Sequence, residues 1–165
     1  MGFQINNLSA SFTRPNDTTA YASGDLVANS TTAGSVVPLQ IDLGNVAAVG
    51  HGITRITRAR LTKSGTSPTN ANFRIHLYEA SPSPANGDNG AWSTNKAANW
   101  LGNIDVTSML AFTDGCTGTG SATAGSEMFL RLASGSIFAL LEAKAAYTPV
   151  ANEVFTLTLE DVGQW

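Results

Sequence analysis

The feature that most constrains this chain is the brevity of its apolar runs, each cut off by Gly, Ser, Thr, Asn or Pro. The clearest is Phe73-Arg74-Ile75-His76-Leu77-Tyr78-Glu79, with Phe73, Ile75 and Leu77 on one parity and Arg74, His76 and Tyr78 on the other. A two-residue period suits a half-buried strand, because successive side chains point to opposite faces of a sheet. Leu8 to Arg14 alternates in the same way and stops at Pro15, and Leu26-Val27-Ala28 is a stub of strand. Val36 to Leu43 contains Pro38, which cannot donate to a ladder and so places that strand at an edge or a bulge. In Ile53 to Lys63, Ile53 and Leu61 share one parity while Ile56 has the other, which predicts a bulge or bend between Arg55 and Arg58.

Further on, the glycine-rich Thr113 to Ser126 reads as a loop around Cys116. Glu127 to Leu132 and Ile137 to Leu141 read as a hairpin, and Glu142 to Ala146 as a helical turn. Val154 to Val162 closes as an amphipathic strand. Many short strands without a long helix predict an all-β fold: an antiparallel, jelly-roll-like β-sandwich with long loops. Residues 1–165 form one domain in this reading, with an extended arm at residues 1–7 and a long loop at 80–99.

Charge is scarce. Asp, Glu, Lys and Arg make up 13% of the residues, against roughly 25% in typical soluble proteins. Ser, Thr, Asn, Ala and Gly take their place, giving a neutral exterior that loses little on desolvation when a partner packs against it. A net charge of −3 argues against nucleic acid as a ligand. The single cysteine, Cys116, forms no internal disulfide, which suits assembly in a reducing compartment. Met1 to Ala10 has neither the basic start nor the apolar stretch of a signal peptide. No apolar run approaches the ~20 residues that span a bilayer, so no membrane partner is expected.

The chemistry of a reaction is hard to find. His51 and His76 have no close ligand partners of the kind a zinc site uses, and both read as structural. No Gly-x-Ser-x-Gly elbow exposes a serine. Glu79, Asp88, Asp105, Asp114, Glu127, Glu160 and Asp161 are scattered, and none is flanked by an aromatic run that would line a sugar cleft. Gly87-Asp88-Asn89-Gly90 lacks the spaced acids of a calcium loop and reads as a turn. No catalytic residue, cofactor or metal follows. Arg55, Arg58, Arg60 and Lys63 gather positive charge on one strand, either as a solvated face or as a row for ion pairs between subunits. Trp92 and Trp100 bracket a short segment and serve a core, an interface or a sugar platform. Phe3, Ile5 and Trp165 place apolar groups near the termini, where docking on a neighbour would order them.

Two stretches carry a resemblance. Phe12 to Asp25 (Phe-Thr-Arg-Pro-Asn-Asp-Thr-Thr-Ala-Tyr-Ala-Ser-Gly-Asp) resembles the opening of small virion structural proteins of tailed bacteriophages. Phe73 to Glu79, continuing through Pro82 and Pro84 to Ala85-Asn86-Gly87-Asp88-Asn89-Gly90-Ala91, is similar to the middle of the same group. The resemblance implies a non-enzymatic head decoration or cement protein that bridges major capsid protein subunits as a homotrimer. It implies a place in the virion capsid, after assembly in the host cytoplasm. The interface residues expected on this reading are Phe3, Ile5, Arg55, Arg58, Arg60, Trp92, Trp100 and Trp165. Alternatives are a tail or neck component, a carbohydrate-binding host-attachment module using Trp92 and Trp100, and a hydrolase with an unrecognised triad.

Overall fold

A computed structural model describes residues 3–43, 53–93, 98–122, 128–130 and 135–164. In chain order the strands are β1 (Phe3–Thr13), β2 (Leu26–Val27), β3 (Leu39–Asp42), β4 (Ile53–Lys63), β5 (Phe73–Tyr78) and β6 (Trp100–Val106). They continue as β7 (Leu110–Phe112), β8 (Gly115–Ser121), β9 (Met128–Leu130), β10 (Ser136–Ala143) and β11 (Val154–Gln164). One sheet runs β1-β11-β4-β8-β7 with β9 beside β4, and the other runs β2-β10-β5-β6 with β3 also on β10. Every pairing is antiparallel. Take β2 and β3 as one broken strand and set aside the short β7 and β9. The remaining eight, counted along the chain, then lie in the order 1-8-3-6 in one sheet and 2-7-4-5 in the other. That interleaving of first with last is the double Greek key of a jelly roll.

Alternation builds the core between the sheets. Phe73, Ile75 and Leu77 of β5, Ile137, Ala139 and Leu141 of β10, and Phe155, Leu157 and Leu159 of β11 are all fully buried. Each large side chain so placed contributes roughly 1.5–3 kcal/mol relative to exposure. Phe155 stacks on Phe12 at 5.6 Å and meets Phe73 edge-on at 5.3 Å, joining three strands across the two layers. The expected bulge is present. Arg58 pairs Glu160 and Ile56 pairs Asp161, so Thr57 is an extra residue on β4. It brings Ile56 and Leu61, of opposite parity, onto the same buried face. It is also where β4 changes neighbour, from β9 at Thr54–Ile56 to β8 at Arg58–Lys63. Pro38 directly precedes β3, which among the described strands pairs only β10 and is an edge strand as expected.

Several expectations fail. Residues 3–7 are the first half of β1, hydrogen-bonded to β11 from Phe3↔Gln164 onward, and are not an arm. Within the glycine-rich tract, Gly115–Ser121 form strand β8, inside the sheet, and residues 123–126 lie outside the described residues. Its glycines serve close approach: a Cβ on Gly120 would stand 2.1 Å from the Asp105 carbonyl oxygen, and one on Gly118 2.6 Å from that of Ser108. Side chains there would force the two sheets apart. β9 and β10 belong to different sheets, so they make no hairpin. Glu142 and Ala143 complete β10 where a helical turn was expected. No strand lies among the described residues between β5 and β6. A single bridge joins Ala91 in this loop to Asp25.

Candidate functional site

The two outer faces of the sandwich differ sharply. On the β2-β10-β5-β6 sheet the outer face is roofed. Leu26, Ala28, Tyr78 and Leu140 form a second buried cluster, with Val36, Trp92 and Phe138 packed against it. His76, on the same parity of β5 as Arg74 and Tyr78, is only 4% exposed. Its imidazole stacks on Trp92 at 4.0 Å, with the rings 18° from parallel. Trp100 Nε1–H donates to His76 Nδ1 at 3.2 Å, so the ring proton sits on Nε2, which donates to the Glu142 carboxylate at 2.9 Å. Trp100 reaches this face because Leu101 is an extra residue in β6, shifting the register between Leu77 and Tyr78. Lys144 Nζ lies 3.0 Å from the other Glu142 oxygen, and Arg74 forks onto Asp105 at 2.7 and 2.8 Å. Burial lowers the proton affinity of His76, and the raising effect of Glu142 does not overcome it. Burial would raise Glu142, but hydrogen bonds from His76 and Lys144 hold it below the usual carboxylate range.

Two further charge networks are fully interior and tie loops to strand ends. Asp88 accepts from Arg14 Nη2, Tyr21 Oη and the Ala28 amide, each at 2.7 Å, and both charged side chains are 0% exposed. Arg14 Nε also donates to Tyr21 Oη. This accounts for the Gly87–Gly90 turn: Gly90 N–H closes it on the Gly87 carbonyl, and the carboxylate points inward to an arginine. In the second network Lys63 Nζ meets Glu153 at 3.3 Å and the carbonyls of Gly65 and Ser67 at 2.8 Å. Tyr147 Oη donates to the same Glu153 carboxylate. Burial pushes the phenols of Tyr21 and Tyr147 far up, so both remain neutral donors. Lys63 therefore leaves the arginine row to which its sequence position assigned it. Among the described residues, no group of three or more His, Cys, Asp or Glu could hold a metal ion. Nor is any described helix long and apolar enough to cross a membrane.

Among the described residues, the outer face of the β1-β11-β4-β8-β7 sheet carries no second buried apolar cluster, although Thr158 is only 6% exposed. Ladder register sets Ser11, Thr156, Thr62, Thr117 and Leu110 in one row across five strands. Ser9, Thr158, Arg60 and Thr119 make the next, and Asn7, Glu160, Arg58 and Ser121 a third. Ser11 and Thr156 hydroxyls bond each other at 2.7 Å, and Arg58 pairs with Glu160. Arg55, Arg58 and Arg60 are exposed. At the rim, Leu110 and Phe112 are 72% and 54% exposed beside a groove of about 310 Å³ lined by Thr62, Thr117, Val154 and Thr156.

The expected interface residues therefore divide between opposite faces. Arg55, Arg58 and Arg60 lie on the open one, while Trp92 and Trp100 clamp His76 on the roofed one, Trp100 remaining 39% exposed. Phe3 and Ile5 are in β1, with side chains outside the described set, and Trp165 and His51 lie outside the described residues. Leu110, Phe112 and the threonine rows were not anticipated. The alternation of Thr117 and Thr119 with Gly118 and Gly120 was their one sequence signal.

No protein-family model and no curated protein matches this chain. Among solved structures, it is similar to the decameric BFDV capsid protein at a TM-score of 0.40 and 10% identity, covering 99% of this chain and 100% of that one. It is also similar to the Macrobrachium rosenbergii extra small virus (XSV) VLP, at 0.32 and 8%, covering 99% and 80%. A third likeness is to the cyanophage Pam1 capsid asymmetric unit, at 0.33 and 8%, covering 99% and 87%. The jelly roll rests on the strand order itself.

Proposed function

We propose that this chain is a non-enzymatic structural protein of a virus particle, a head decoration or cement protein of a tailed bacteriophage that bridges major capsid protein subunits. The observation that carries the reading is the contrast between the two faces. The outer face of one sheet is filled in by the chain's own loop, and that of the other presents rows of Ser and Thr with a few charges, Arg55, Arg58, Arg60 and Glu160. A Ser/Thr-tiled plane offers hydroxyls that bond a neighbour at little desolvation cost. Four side chains that could do chemistry, Asp88, Glu153, Glu142 and His76, are each buried against a partner. The resemblance of Phe12–Asp25 and Phe73–Ala91 to phage virion proteins points the same way. Jelly rolls occur in capsid proteins and in lectins alike, so the fold by itself does not choose between them.

On this reading copies associate as homotrimers over junctions of the capsid lattice, and the protein joins the particle in the host cytoplasm, where its buried free Cys116 stays reduced. Arg55, Arg58 and Arg60 face the lattice. A sugar-binding role for Trp92 is disfavoured because one face of its ring already rests on His76. The test is to assemble capsids with and without the protein and to measure their resistance to heat or chelation. Greater resistance with the protein supports cementing, and equal resistance refutes it.

A further inference from the structure

Strand β7 is the rim of the open sheet: its neighbour is β8 and it has no partner strand on its other side among the described residues. An edge strand presents unpaired amides and carbonyls to solvent, and proteins protect such edges with lysine, proline, a bulge or a covering loop. Among the described residues, β7 shows none of these. Residues 107–113 read Thr-Ser-Met-Leu-Ala-Phe-Thr, without charge or proline, and Leu110, Ala111 and Phe112 are all exposed. The β1 edge at the opposite rim differs, since it sends Ser9, Ser11 and Thr13 to the outer face.

We propose that β7 is a contact between two copies of this chain, pairing antiparallel with β7 of a second copy about a two-fold axis centred on Ala111. The chemistry of an open edge calls for another strand, and the side chains favour a copy of itself. In this register Leu110 lies opposite Phe112 of the second copy, and Ala111 opposite Ala111. Counting outward by the same rule, Asp114, the first charge on the rim, falls opposite Ser108 and so meets no like charge. Register with β8 sets Leu110 beside Thr117, on the outer face, and Phe112 lines the groove there with Thr117 and Val154. Two-fold pairing would therefore bring four large apolar side chains together over two adjoining grooves and run one sheet through both copies. A two-fold contact is isologous and closes on itself. In a lattice it joins a copy of one trimer to a copy of the next. The inference stands on the edge geometry alone, whatever particle the protein occupies.

The test is sedimentation of the whole chain over a range of concentrations, with Leu110→Lys, Phe112→Glu and the double variant. All three change exposed positions, and circular dichroism with thermal melting checks that each is folded. The wild type should reach twice the mass of either single variant, and each single change should weaken association by about tenfold or more. The double variant sets the introduced lysine of one copy opposite the introduced glutamate of the other and should restore the wild-type mass. Equal masses for wild type and single variants overturn the proposal. Loss of association without rescue in the double variant also overturns it, and indicates that β7 meets a different surface, such as the β1 edge of the next copy.

Discussion

Replacing Asp88 with alanine should be among the most damaging single changes available outside the hydrophobic core. The carboxylate accepts three hydrogen bonds at 2.7 Å, from Arg14, Tyr21 and the Ala28 amide, and neither Asp88 nor Arg14 exposes its side chain. Removing one member of a buried ion pair leaves the other charge uncompensated, at about 3–5 kcal/mol. Each buried donor left without an acceptor adds about 1–3 kcal/mol. Part of this is recovered, because Arg14 already reaches the Asp17 carbonyl at 3.4 Å and its carboxylate at 3.5 Å. The balance is a loss of about 4 kcal/mol. For a chain of this size that lowers Tm by roughly 8–16 °C, readable by calorimetry or circular dichroism. Arg14→Met combined with Asp88→Leu removes both charges and should cost clearly less than Asp88→Ala, though not zero, since Tyr21 and Ala28 still lose an acceptor. A melting point within about 3 °C of wild type for Asp88→Ala, or a double variant no better than the single, would refute the reasoning.

His76 should titrate below its ordinary value near 6.5, because burial disfavours its charged form. A depressed folded pKa means that the unfolded chain takes up the proton first as pH falls. Stability from this residue is then complete above about 6.5 and declines as pH drops from there through the folded value. Urea unfolding at stepped pH should show that decline, and His76→Gln should flatten it; identical slopes in both proteins would contradict the assignment. Protonation at Nδ1 would also break the bond from Trp100, so tryptophan emission should change with the same midpoint as the His76 ring signals in NMR. Gly120→Ala should destabilise by about 1–3 kcal/mol, since its Cβ would meet the Asp105 backbone at 2.1 Å and backbone cannot swing aside. An unchanged denaturant midpoint would show that the two sheets do not approach so closely.

What could be read in the sequence was whatever depends on parity. Phe73, Ile75 and Leu77 announce an inward face, and the clash between Ile56 and Leu61 announces the extra residue at Thr57. Pro38 marks the edge. Strand β8 was hidden because glycine and threonine there serve the approach of a neighbouring backbone, a long-range fact that local propensity does not carry. The apparent hairpin of β9 and β10 misleads for a similar reason, since a jelly roll sends successive strands to opposite sheets. Arg58 and Arg60 lie on an exposed face of β4. Lys63 has the same parity as Leu61 and turns inward to Glu153, 90 residues away in sequence. The arrangement of His76 with Glu142 and both tryptophans could not be foreseen either. It needs three strands, a bulge at Leu101 and the long loop to come together.

The central claim, that this sandwich belongs to a particle and holds neighbours together there, is tested most directly by a cryo-electron reconstruction of the virion proposed to carry it. The account predicts density for the jelly roll on the outside of the head, with the Ser/Thr face of the β1-β11-β4-β8-β7 sheet against capsid subunits. Density confined to the tail, or an intact particle without the protein, would contradict it.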